Sequence, residues 1–214
     1  MKNENKMRTV GILGNMGSGK SYVSGLLEKM DYVTIDLDTK AKHLYGLEEV
    51  RMKMIQLFGK DIYKTGKKMW TLHNTYELDK VKLASIIFSD DSKRIQLEKM
   101  LKPYLMKELY DDLYEYDQKE EIVFIESATM MKTGLYKNFD EIIVVYADYK
   151  DRLEMTSKHR NIDPVDFDNR NKMQIQTPET IHILRQNNIK YTVFHNKYDN
   201  KTEKFILDYI KANI

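Results

Sequence analysis

The chain has no cysteine among its 214 residues, which excludes disulfides, zinc-thiolate sites, iron-sulfur clusters and thiol nucleophiles. Proline and glycine are scarce, at 3 and 9 residues. They gather into no linker, and no internal repeat is found, so an independent second domain is not expected. An excess of one charge is missing too: 35 Lys and Arg against 33 Asp and Glu leave a net charge of +2. That is too little for a broad nucleic-acid footprint, though it permits a local basic pocket for phosphate. No apolar run approaches the ~20 residues of a membrane span. Residues 1–7 are polar, carry Glu4 and lead into only a short apolar stretch, unlike a signal peptide. The expectation is a soluble, cytoplasmic protein with a core of ordinary globular size, no nucleic-acid or membrane partner, and an open oligomeric state.

What the sequence does contain is a rhythm of Val- and Ile-rich segments alternating with helical patterns, the signature of a parallel sheet covered by helices. Five strands are expected, at residues 9–13, 32–36, 122–125, 142–146 and 191–194. Helices are expected at 20–29, at 39 to about 58, at 79–88 and at 92 to about 116, the last bent or restarted at Pro103. Two stretches fit poorly: residues 60–78 read as a loop, and the charged residues 152–176 carry a helix-start signal at Asn161-Ile162-Asp163-Pro164. Both are candidate mobile segments over a substrate.

After the first strand and before the first helix stands Gly14-Asn15-Met16-Gly17-Ser18-Gly19-Lys20-Ser21, matching G-x-x-x-x-G-K-[ST] in the context that motif requires. A chance match in a chain this long is on the order of 1% at average composition. Glycines let consecutive N–H groups turn inward around an anion, Lys20 reaches phosphates and the Ser21 hydroxyl suits magnesium. The second strand ends in Asp36-Leu37-Asp38, two carboxylates at the edge where parallel sheets bind ligands, on the same side of an extended chain. Each is open to three readings, a general base, a carboxylate that helps hold magnesium, or a helix cap. Glu126, at the carboxyl end of the third strand, is either a water-mediated support for magnesium or a capping or loop carboxylate. The five histidines, 43, 73, 159, 182 and 195, have no metal-ligand spacing and read as surface or packing residues. Tyr63, Trp70 and Tyr76 could stack on a ligand or anchor a loop.

The motifs together resemble the dephospho-coenzyme A kinases. The residues that carry the likeness are Gly11 to Ser21 with Val23, the run Tyr32-Val33-Thr34-Ile35-Asp36-Leu37-Asp38 with Ala41, and Phe58-Gly59. They continue through Leu78-Asp79-Lys80 with Leu83, Ala84 and Phe88, then Leu101-Lys102-Pro103, Gly134-Leu135-Tyr136, Asp140, Arg152-Leu153, Gln176 and Asn196. Departures lie on the acceptor side: residues 128–132, Ala-Thr-Met-Met-Lys, replace a Pro-Leu-Leu-Phe-Glu-like run, and Lys102 replaces a His.

The resemblance implies an α/β fold of the P-loop NTPase type, similar to nucleoside-monophosphate kinases, with a five-stranded parallel sheet flanked by helices. Its core would be about 8–58 and 120–214, with a helical substrate-binding insertion at about 59–119 and a lid at about 150–176. It implies phosphorylation of the 3'-hydroxyl of dephospho-coenzyme A, with ATP and Mg2+ as cofactors. The implied catalytic residues are Lys20, Asp38 as the base, and the lid arginines Arg152 and Arg160. ATP would contact Asn15, Met16, Gly17, Ser18, Gly19, Lys20, Ser21, Tyr22 and Asn196, and Ser21 the metal. Only seven arginines occur in the chain, and three (152, 160, 170) fall in the expected lid. The alternatives are a nucleoside or nucleoside-monophosphate kinase on a related scaffold, and a module that binds nucleotide without transferring phosphate.

Overall fold

The Val- and Ile-rich segments become the strands β1 (Arg8–Leu13), β2 (Val33–Asp36), β5 (Ile122–Glu126), β6 (Glu141–Tyr146) and β7 (Tyr191–His195), each within two residues of its expected bounds. They pair in parallel in the order β2-β5-β1-β6-β7. All five residues of β5 are buried, as is usual for a strand covered on both faces. The computed structural model describes residues 7–67, 74–117, 119–199 and 201–213. Trp70 and His73 lie outside these.

The core on one face of the sheet is built from alternate strand residues, Val10 and Ile12, Phe124, Ile143 and Val145, and Phe194. These pack with Val23, Leu26 and Leu27 of α1 (Lys20–Lys29) and Ile206 and Tyr209 of α10 (Lys201–Asn213). Each fully buried side chain of this kind contributes roughly 1.5–3 kcal/mol. The core therefore fixes the sheet independently of the loops at its carboxyl edge, which are left for chemistry. On the other face Gly11 lets Ile142, Met130 and Phe139 close in, since a Cβ there would lie 2.6, 2.8 and 3.1 Å from them.

By contacts the chain divides into two compact units, Met1–Asp38 with Leu113–Ile214, and Thr39–Asp112. The second begins twenty residues before the expected boundary at 59, because residues 40–58 bond to partners between 63 and 112. Lys40 pairs with Asp112 at 2.7 Å, the Tyr63 hydroxyl donates to the Tyr45 carbonyl at 3.2 Å, and the Lys53 ammonium donates to the Tyr104 hydroxyl at 2.6 Å.

The expected helix at 39–58 is two, α2 (Leu37–Leu44) and α3 (Glu48–Phe58), parted at Gly46, a poor helix former. Residues 60–78 are not a loop. A 3-10 turn (Lys60–Ile62) leads into β3 (Tyr63–Lys67), which pairs antiparallel with β4 (Asn74–Leu78). The insertion, expected to be helical, thus carries a hairpin where a loop was expected. Asp79 caps α4 (Lys80–Ser89) by accepting from the Lys82 N–H at 3.1 Å. The helix α5 (Asp91–Tyr116) does not restart at Pro103 and runs through it.

Candidate active site

Between β1 and α1 the loop turns on Gly17 and Gly19, at φ 78° and 94°. At Gly14 it passes so close to β6 that a Cβ would lie 2.2 Å from the Val145 carbonyl. These are conformations and approaches that glycine alone makes without strain. The outward carbonyls of Met16, Gly17 and Ser18 accept from Arg152 Nη1 (3.3 Å), the Tyr198 hydroxyl and Asn196 Nδ2 (2.9 Å). Asn15 and Met16 are not among the residues that line the cavity beside the loop, and they brace the loop itself. Asn15 Nδ2 donates to the Ile175 carbonyl at 3.0 Å, and the Met16 N–H donates to Gln174 Oε1 at 2.8 Å.

Lys20 opens α1 with its ammonium folded back onto the Gly14 carbonyl at 2.9 Å. Burial pulls its pKa below the usual lysine value; Glu126, Asp38 and Asp36 push the other way and Arg160 adds to the fall. The Ser21 hydroxyl donates to Glu126 Oε1 at 2.9 Å and the Ser24 hydroxyl to Oε2 at 2.8 Å. Glu126 is 8% exposed and sits in register with Ile12 and Asp36. It is therefore no loop or capping carboxylate but a buried anion beside the motif serine.

The two aspartates after β2 take different parts. Asp36 caps α2, accepting the Asp38 N–H at 2.9 Å. The chain has already turned helical at Leu37, so the two carboxylates do not share one side as an extended chain would have them. Asp38, half-buried in the first helical turn, is aimed at the end of β5, where it accepts from the Ser127 hydroxyl (3.1 Å) and the Ala128 N–H (3.0 Å).

A cavity of about 630 Å³ opens beside the loop, of a size usual for small-molecule sites. Gly17, Ser18, Gly19, Lys20, Ser21 and Tyr22 line one side, and Asn196, Tyr198 and Asp199 another. The third is one face of α7 (Tyr149–Arg160), with Met155, Thr156, His159 and Arg160 at helical spacing. His159, read from the sequence as a surface or packing residue, is thus at the cavity wall.

The two lid arginines part company. Arg160, exposed at the end of α7, lines the cavity. Arg152 is 6% exposed, and besides Met16 its guanidinium donates to the Ala147 carbonyl at 3.2 Å and Asn171 Oδ1 at 2.9 Å, so it ties the loop to α7 and α8 (Pro164–Lys172). Helix α7 also rests on the loop itself, since a Cβ at Gly17 would lie 2.5 Å from Thr156 Oγ1 and 2.7 Å from the Arg152 carbonyl. The expected lid is thus tethered to the loop at Arg152 and again at Gln174.

A family model described as dephospho-CoA kinase matches residues 8–195. The chain belongs to the dephospho-CoA kinase family. The Aquifex aeolicus dephospho-CoA kinase is 30% identical over 176 residues, covering 82% of this chain and 84% of that one. The Listeria innocua dephospho-CoA kinase is 25% identical over 210 residues, covering 95% and 96%. Among solved structures, a Thermus thermophilus protein shares the fold with a TM-score of 0.79 at 22% identity, covering 98% of each chain. The Campylobacter jejuni dephospho-CoA kinase does so with a TM-score of 0.63 at 16% identity, covering 96% and 98%. The architecture is that of a P-loop kinase.

Within a dephospho-CoA kinase of this sequence, several neighbours of the loop gave little sign of themselves. Gln174 holds the Met16 N–H, whereas Gln176, the glutamine of the resemblance, donates to the carbonyls of Asn171 and Gln174 at 2.9 Å each. Tyr198 had no motif to mark it. Met155, Thr156 and His159 were findable only by laying the positions of Arg152 and Arg160 on a helix and asking which others share that face.

Proposed function

We propose that the protein transfers the γ-phosphoryl group of Mg-ATP to the 3'-hydroxyl of dephospho-coenzyme A, in the cytoplasm. The observation that carries this reading is Asp38. A carboxylate held by Ser127 and Ala128 stands at the same sheet edge as Lys20, Ser21 and Glu126, near enough to Lys20 to influence its charge. A module that only bound nucleotide would have no use for a base there.

In the reaction Lys20 leaves the Gly14 carbonyl for the phosphate oxygens, whose charge restores the ammonium that burial disfavours. Ser21 Oγ and the Glu126 carboxylate are hard oxygen donors 2.9 Å apart, a set that suits Mg2+ with Ser21 as ligand and Glu126 acting through water. When bound, Mg2+ neutralises charge on the β- and γ-phosphate oxygens. Asp38 accepts the proton of the acceptor hydroxyl as its oxygen bonds to the γ-phosphorus, and the bond to the bridging oxygen breaks to release ADP. Arg160, on the cavity wall, is the arginine that stabilises the transferring group. Arg152 holds the loop.

An ADP-release assay with dephospho-coenzyme A beside a panel of nucleosides and nucleoside monophosphates tests the acceptor. Turnover with dephospho-coenzyme A is expected, and turnover confined to the nucleotides would refute the reading.

A further inference from the structure

Of the three side chains that hold the carbonyls of Met16, Gly17 and Ser18, Tyr198 is the unexpected one. Its backbone lies at φ 55°, a left-handed conformation that a bulky residue rarely adopts and that glycine takes with little strain. Asn196 Oδ1 keeps the turn in place by accepting the Tyr198 N–H at 2.9 Å and the Thr202 hydroxyl at 3.3 Å. What the strained residue supplies is a hydroxyl that reaches the Gly17 carbonyl, 181 positions away in sequence.

That bond falls on a joint of the loop that only glycine makes without strain. Gly17, at φ 78°, has no Cβ to resist rotation of the peptide that follows it. The Gly17–Ser18 peptide is held at both ends, its N–H on the Asn15 carbonyl at 3.0 Å and its C=O on Tyr198. Were it to flip, a carbonyl dipole would turn into the loop, against the charge that a phosphate brings. Resting on the reading of this loop as the ATP site, we infer that Tyr198 is a positioning residue for ATP, whose hydroxyl locks the Gly17–Ser18 peptide in the orientation the phosphates need. Burial pushes its phenol up to about 12, so the hydroxyl keeps its proton at neutral pH.

Two variants separate this role from simple packing, with Mg-ATP binding measured in the absence of any acceptor and unfolding measured without nucleotide. Tyr198→Phe keeps the ring and removes the hydroxyl; the Kd for ATP is expected to rise about 5- to 15-fold, the net worth of one hydrogen bond, with the acceptor KM unchanged. Tyr198→Gly removes the clamp together with its ring and relieves the strained φ; its ATP affinity is expected to fall at least as far. A tyrosine that only packs would lower the unfolding midpoint in Tyr198→Gly and leave the ATP affinity of the folded protein alone in both variants. Kd values within twofold of the parent for Tyr198→Phe overturn the inference, including where Tyr198→Gly alone weakens binding, since the effect would then belong to the ring. ATP affinity that responds as expected in a protein inactive on dephospho-coenzyme A would sink the acceptor reading and leave this one standing.

Discussion

Replacing Glu126 by glutamine separates charge from shape at the centre of the site. The parent carboxylate accepts hydroxyl hydrogens from Ser21 and Ser24 at 2.9 and 2.8 Å while 8% exposed. Glutamine keeps one acceptor, and its amide donates to the second hydroxyl once that hydroxyl rotates, so neither serine is left unpaired. Two charge-assisted bonds become neutral, a loss of about 2 kcal/mol, while the penalty for burying an anion disappears. These oppose each other, and the unfolding free energy is expected to change by less than about 2 kcal/mol.

Transfer responds differently. A group that orients a metal ligand typically accounts for 10- to 100-fold in activity, so kcat is expected to fall by about that factor and the Mg2+ requirement to rise. Glu126 is also the foremost of the groups that raise the Lys20 pKa against burial. Without it Lys20 loses its proton at lower pH, and because the protonated form is the one that meets phosphate, the alkaline fall of kcat/KM moves to lower pH. Steady-state rates over a Mg2+ titration and a pH series, with thermal unfolding alongside, measure all three. A Glu126→Gln enzyme with kcat within threefold of the parent, the same Mg2+ dependence and an unmoved alkaline limb would refute the reasoning.

Asp38→Asn is expected to lower kcat by about 10²- to 10⁴-fold with ATP affinity within threefold; parent-like turnover removes Asp38 from the base role. Arg160→Ala should leave unfolding within about 0.5 kcal/mol and cut kcat about 10³-fold. Arg152→Ala strands two buried acceptors and a half-buried one and should destabilise by about 2–3 kcal/mol or more, so equal unfolding midpoints for the two arginine variants would contradict the division of labour between them. Gly17→Ala meets both the positive φ and the α7 backbone 2.7 Å away, and a loss of about 2–4 kcal/mol in unfolding is expected; an unchanged midpoint by denaturant titration would show that α7 yields more easily than the contact implies.

Local pattern was enough for much of this. The five strands follow from runs of Val and Ile, and the phosphate loop from four residues at fixed spacing, because backbone geometry and anion binding there depend on residues adjacent in sequence. The hairpin β3–β4 was missed because its Lys- and Thr-rich strands carry little apolar signal. Residue type and spacing alone did not separate Asp36 from Asp38, which only the resemblance singled out as the base, because the turn from strand to helix after Asp36 decides which one caps and which one faces Ser127.

By itself, the sequence determined a parallel α/β kinase with its phosphate cradle at Gly14 to Ser21 and the absence of thiol chemistry. Only the tertiary structure decided that Arg152 holds the loop while Arg160 reaches the cavity. The two stand eight residues apart on one helix with the same side chain, and what separates them is burial against Met16, Ala147 and Asn171, contacts that span up to 136 positions. Tyr198 belongs to the same class, since its hydrogen bond to Gly17 joins residues that no local pattern connects.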